Sequence, residues 1–272
     1  TTSHRSYNKF NSSHVSFFVA SDTRGDKEEE IPGVMSLTCL VFLRKRLYLL
    51  PIVTAIWIIC SFFISYGIAV GYGHTEPDFP YISHTAIEAP ERCVFGQLVN
   101  VGALMLGMNV LVRYLFLKEI FRQKKFDNVR GWQKANIVGI ILGVISAFGI
   151  SMVANFQTVV LRGPHYVGAG LAFGLGLIYC WLQTRITWRL REENIGNRKI
   201  AILQLINSIA LTGFDSLRGV YLTSTISEWL LAISVLTYTL TYTWDFKSMI
   251  LESPKVTLDF DQLQQITCFN GF

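Results

Sequence analysis

Apolar residues gather along this chain into six blocks of bilayer length instead of alternating with polar ones in an amphipathic rhythm. The blocks fall at about 47–72, 95–117, 135–157, 166–184, 199–214 and 226–244. A run of about 20 apolar residues, rising about 1.5 Å per residue as a helix, is long enough to cross a hydrocarbon core about 30 Å thick. The predicted fold class is therefore all-α: a polytopic membrane protein with six transmembrane helices in a domain spanning 47–247. Pro51 lies near the start of the first block, where a missing N–H is tolerated. The fifth block is the weakest, because it is short and carries Gln204 and Asn207.

Polar tails flank the six blocks, at 1–46 and 248–272. Residues 1–33 are rich in Ser, Asn and Thr and run into Asp26, Lys27, Glu28, Glu29 and Glu30, a composition that predicts disorder. The chain opens on Thr1, and Met35 is the expected natural start. Residues 34–43 are apolar but too short to span, and no small-residue cleavage site separates them from the first block, which disfavours a signal peptide.

The connection between the first two blocks differs from the others. Pro80 and Pro90 cannot continue a helix and bias Phe79 and Ala89 toward extended backbone, so an ordered non-helical loop is expected. Glu76, Asp78, Glu88 and Glu91 face a lone Arg92, which makes the loop acidic. The other connections sort by charge. Lys and Arg number seven in the N-terminal tail, six between blocks two and three, five between four and five, and two after block six. The remaining connections hold only Arg92, Arg162 and Arg218, while Arg113 sits near the inner end of block two. Cytoplasmic connections carry the excess of Lys and Arg, so both termini are expected in the cytosol and the acidic loop on the far face.

Small residues let helices approach closely in lipid, and Gly67 and Gly71, Gly139 and Gly143, and Gly170 and Gly174 each sit four apart. Tyr48, Tyr72, Trp132, Trp181, Trp188, Trp229 and Trp244 fit interfacial belts. Polar groups in or near the membrane are costly and therefore candidates for function. The candidate cluster under the acidic loop comprises His84, Glu91, Asn155, Gln157, His165 and Glu228, suited to a lipid headgroup. Glu228 has a plainer reading as a carboxylate in the first turn of the sixth helix, favoured by the helix dipole. His74, His84 and His165 share the far face; they are either solvated or paired with Glu88 or Glu91, where they would respond to an acidic lumen.

Composition removes several classes. With 51% hydrophobic residues and a mean hydropathy of +0.37, the net charge of +5 is confined to short connections, where it signals topology, and nucleic acid is not an expected partner. Cys39, Cys60, Cys93, Cys180 and Cys268 form no CxxC pair, disulfide framework or metal spacing. Hydrolase, zinc-protease and phosphate-loop motifs are absent, so neither catalysis nor a cofactor is expected. Asn11, in the only N-x-S/T match, lies in the tail expected in the cytosol, and Cys268 is too far from the end for prenylation.

Four segments together carry a family resemblance: PYISHTAIEAPERCVFG at 80–96, SMVANFQ at 151–157, His165 with the glycine-rich block after it, and SEWLLAISVLTYTLTYTWDF at 227–246. They resemble the DNA damage-regulated autophagy modulators, in order, over 47–247. The wider superfamily includes proteins of GPI-anchor lipid remodelling and plasma-membrane lipid organisation. The resemblance implies a non-enzymatic six-span protein of lysosomal or other endomembranes that promotes autophagy and stress-linked cell death. Membrane lipids and autophagy or lysosomal membrane proteins are its implied partners. His84 stands where an aspartate is common, Ala86 where a glycine is and Ala89 where a second proline often sits, which marks a divergent member. A lipid-remodelling factor of the GPI-anchor branch, in Golgi or endoplasmic reticulum, and an ion-channel accessory subunit at the plasma membrane are the alternatives.

Overall fold

A computed structural model of the chain describes residues 46–77, 80–124, 127–217 and 221–249, without the side chains of 216–224. The expected tails, Met35, Asn11 and the terminal cysteines lie outside these residues. Every regular element among the described residues is helical. The helices are α1 (Leu49–Gly71), α2 (Glu91–Gln123), α3 (Val129–Asn155), α4 (Arg162–Glu192), α5 (Arg198–Leu217), α6 (Tyr221–Leu240) and the short α7 (Tyr242–Phe246). Four of them, α1 to α4, are long and apolar enough to cross a membrane.

Each long helix packs on its chain neighbours, and α6 returns to pack on α1, so the order around the bundle is the order of the chain. Large apolar side chains point away from the interior: Phe63, Leu104 and Phe148 are each more than half exposed. Thr54, Ser61 and Ser65, on the inner face of α1, are almost completely buried. That distribution is the reverse of a helix covering a water-soluble core, and it fits an apolar solvent outside.

The helix ends follow from local chemistry. Gly73 takes a positive φ of 75°, closing α1 through bonds from its N–H to Val70 O and from His74 N–H to Ala69 O. Asn194, at φ 57°, ends α4 in the same way, with bonds to Arg191 O and, from Ile195, to Leu190 O. These paired bonds satisfy carbonyls that a helix end would leave open. Pro90 precedes α2, which begins at Glu91, four residues before the apolar block it carries. Between α1 and α2 the loop forms a single 3₁₀ turn, Ile82–Ala86, whose Ile82, Thr85 and Ala86 are buried.

Only part of the expected glycine packing is present. Gly139 and Gly143 face Gln183 and Val110 at close range, but nothing lies within 4 Å of a Cβ built at Gly67, Gly71, Gly170 or Gly174. Gly149 and Gly168 instead make the tight contact between α3 and α4. A Cβ at Gly149 would come within 2.5 Å of Ala172 N and 2.7 Å of Gly168 O. The reason is a π-helical stretch, Gly170–Leu175, inside α4. Its i→i+5 bonding shifts the helix face away from the one that a regular 3.6-residue repeat would present. The shift exposes Ala172 O, which accepts the Ser146 hydroxyl from α3 at 2.7 Å.

Gly149→Ala should therefore destabilise the bundle by about 1–3 kcal/mol, the usual range for overpacking against immovable backbone, whereas Gly170→Ala should be neutral or slightly stabilising. Thermal unfolding in detergent of the two variants side by side checks the contrast.

Candidate functional site

The termination of α1 at Gly73 places His74 beside the first turn of α2. His74 Nδ1 lies 2.7 Å from Glu91 Oε1, and its Nε2 lies 3.8 Å from Glu88 Oε2. The ring thus lies between two carboxylates and is hydrogen-bonded to the nearer one, Glu91. Glu91 is 1% exposed, and its Oε2 has no hydrogen-bond partner among the described residues. His84 remains exposed, with its ring 4.9 Å from that of Tyr81, and partial burial holds its pKa below the ordinary histidine value.

Glu228 is not in a first helical turn. Helix α6 starts at Tyr221, which puts Glu228 about two turns inside, and its Oε2 accepts the backbone N–H of Ile82 at 2.9 Å. The next residue, Trp229, donates its indole N–H to Pro80 O at 2.9 Å and sets its ring edge-on to Phe62. Two consecutive residues of α6 thus hold the loop down over the bundle. Beneath the loop is a cavity of about 90 Å³ with Ile58, Phe62, Phe95 and Val99 in its walls and Ser83 and Glu228 as its polar members.

The other candidates fall into separate groups at the same end of the helices. Asn155 exchanges hydrogen bonds with Asn100 at 2.9 and 3.1 Å, and Ser151 donates to Asn100 Oδ1 at 2.6 Å. His165, buried, sets Nδ1 2.7 Å from Phe156 O and so pins α4 to the end of α3. Gln157 takes part through its carbonyl, which accepts the N–H groups of Val160 and Leu161. Glu91 meets His74, and Glu228 meets the loop backbone. The structure therefore places all six residues at one end, in distinct bonded groups.

A second site lies at the opposite end, at a residue the charge count had used only as a topology marker. Arg113 is 1% exposed. Its Nη1 lies 2.5 Å from Asp245 Oδ2, its Nε donates to Gln183 Oε1 at 3.2 Å, and its Nη2 donates to Thr187 Oγ1 at 2.8 Å. The guanidinium also lies over the rings of Phe116 and Tyr242, at 5.4 and 5.1 Å. Nearby polar groups pair with one another: Tyr238 donates to Cys180 O, Thr184 meets Ser208, Tyr242 donates to Tyr179, and Gln204 donates to Thr241 while its Oε1 has no hydrogen-bond partner among the described residues. Gln204, which weakened the fifth block, is there to bind α5 to the end of α6. The signal for this site was an ionisable residue inside an apolar block. No group of His, Cys, Asp and Glu among the described residues could hold a metal ion.

Comparison with known proteins gives a consistent result. The family model described as Frag1/DRAM/Sfk1/Cwh43P N-terminal domain matches residues 46–249. The chain is 36% identical over 163 residues to DNA damage-regulated autophagy modulator protein 2 of Homo sapiens, covering 60% of this chain and 59% of that protein. It is 29% identical to modulator protein 1 of Homo sapiens over 232 residues, 78% of this chain and 95% of the relative. It is also 35% identical to the modulator of macroautophagy TMEM150B-A of Xenopus laevis over 196 residues, 68% of this chain and 80% of that one. No solved structure matches the chain.

Asp245→Ala should cost about 3–5 kcal/mol, because it leaves the Arg113 charge buried without its carboxylate. The double replacement Arg113→Met with Asp245→Ala should recover most of that loss, and thermal unfolding of wild type, single and double variants reads both. At the loop end, the depressed pKa of His84 means that the unfolded chain takes up the proton first. Protonation therefore weakens the fold as pH falls through about 6.5. The melting temperature of His84→Gln should drop less than that of wild type between pH 7 and pH 5.

Proposed function

The chain belongs to the Frag1/DRAM/Sfk1/Cwh43P family, and on that premise we propose that it is a non-enzymatic modulator of autophagy resident in a lysosomal or other endomembrane and tied to stress-linked cell death. The observation that carries this reading is the match to named autophagy modulators along most of both chains. In the proposed arrangement all six long helices cross the bilayer, both termini lie in the cytosol, and the loop capped by Glu228 and Trp229 faces the lumen. The distribution of Lys and Arg supports that orientation. The walls of the bundle, apolar outside and hydroxyl-bearing inside, support residence in lipid. With no catalytic constellation in the sequence, the function is read as one of recognition, through membrane lipids and through autophagy or lysosomal membrane proteins.

A second reading, a lipid-remodelling factor, draws support from the cavity beneath Glu228, which joins an apolar interior to a carboxylate. The two separate in cells. Under the first, a fluorescent fusion outlines lysosomes and depletion slows turnover of an autophagosome marker. Golgi or reticular residence with loss of GPI-anchored proteins from the cell surface would favour the second and overturn the first. Added protease should remove tags at both termini in sealed vesicles and leave the loop near 80–90 intact; cleavage of that loop would overturn the orientation.

A further inference from the structure

At the end of the bundle that carries Arg113, two neighbouring faces of α4 do different work. Gln183 and Thr187 face inward and hold the Arg113 guanidinium. Trp181, Arg185 and Trp188, spaced i, i+4 and i+7, follow one another along the face beside α5. The two helices are cross-linked there: Trp181 donates its indole N–H to Thr212 Oγ1 at 3.1 Å, and the Thr184 and Ser208 hydroxyls meet at 2.9 Å. Outside these bonds lies a groove of about 230 Å³, lined by Trp181, Thr184, Arg185, Trp188 and Leu205.

Charge at this groove is of one sign. The connection between α4 and α5 holds two carboxylates, Glu192 and Glu193, and both bond to Arg189. Arg185, Arg191, Arg198 and Lys199 are left without a carboxylate partner among the described residues. Arg191 lies over the Trp188 ring at 4.7 Å, which sets a second guanidinium against a wall of the groove. Arg185 is exposed and lies seven residues, about 10 Å along the helix, before the end of α4 at Glu192. Tryptophan favours the headgroup level of a bilayer, and the pair at 181 and 188 brackets Arg185 there. An arginine on the outer surface of a membrane helix is costly unless its head reaches an anion or water at that level.

We propose that this groove is a binding site for one anionic glycerophospholipid, its phosphate accepting from the Arg185 guanidinium and the start of an acyl chain lying against Trp181 and Leu205. Guanidinium and phosphate form charge-assisted hydrogen bonds, and basic pockets between membrane helices take anionic headgroups. A zwitterionic headgroup brings its own cation among Arg191, Arg198 and Lys199 and gains less. The inference rests on residence of the chain in a bilayer and holds whether or not the chain modulates autophagy.

Native mass spectrometry of the full chain, released from nanodiscs of equimolar phosphatidylglycerol and phosphatidylcholine with the same acyl chains, decides it. One phosphatidylglycerol should be retained per chain, with a preference over phosphatidylcholine of about tenfold, the scale of a hydrogen bond to a charged group. Arg185→Gln, at an exposed position, should bring that preference close to one. Lys134→Gln, which removes an exposed cation from α3 at the same end, should leave it unchanged. Equal losses in the two variants, or a preference that survives Arg185→Gln, overturn the proposal by showing that the headgroup reads only the net charge of the surface. Inorganic phosphate at matched ionic strength should not displace the lipid; full displacement overturns the lipid assignment in favour of a soluble anion. A chain that does not enter nanodiscs overturns bilayer residence as well, whereas one that enters and retains both lipids equally overturns the site alone.

Discussion

The buried charge of Arg113 is the constraint on which the bundle depends. A guanidinium with 1% of its surface exposed must be compensated within the protein. The compensation comes from three places: Asp245 on α7, Gln183 and Thr187 on α4, and the rings of Phe116 and Tyr242. Satisfying one side chain therefore fixes α4 and α7 against α2. Because α7 also packs on α1, the same interaction closes the ring of helices at its end. Polar groups flanking it add hydrogen bonds that a low-dielectric interior strengthens. A bilayer offers helices no hydrophobic drive toward one another, so such bonds, with close glycine contacts, specify which faces meet.

The other end is held differently. Backbone groups of the loop at Pro80 and Ile82 bond to the side chains of Trp229 and Glu228, and His74 bridges to Glu91 across the junction of α1 and α2. Here the anchors range from half-buried groups to the fully buried Glu91, and the packing beneath the loop is incomplete, leaving the chamber under it. The bundle is thus tied by a buried ion pair at one end and capped by the loop over a chamber at the other.

Much of this was legible in the chain. The clustering of apolar residues marked all six long helices, since nothing else produces blocks of that length, and the prolines marked the loop. Boundaries were less legible where polar residues continue a helix: the hydroxyl residues before Glu228 extend α6 back to Tyr221, and that removed the dipole reading of its carboxylate. Glycine spacing identified Gly139 and Gly143 but misassigned Gly170 and Gly174, because a π turn alters which face a residue occupies and leaves no compositional trace. Glu91, His165 and Glu228 were recognised as candidates, and their end of the bundle followed from topology, but their separate partners did not. Asn100 with Asn155, and Glu228 with the N–H of Ile82, pair residues far apart in sequence. Arg113 was visible as an ionisable group among apolar ones; its partner was not.

The distance between Arg113 and Asp245 along the chain, 132 positions, has a bearing on biogenesis. Ribosomes add roughly 5–20 residues per second, so the arginine is synthesised on the order of ten seconds before the aspartate that neutralises it. Throughout that interval the guanidinium has no carboxylate from α7, and for roughly the first half of it Gln183 and Thr187 are still unmade. The bundle's ring of helices therefore closes around Arg113 only once α7 has been synthesised.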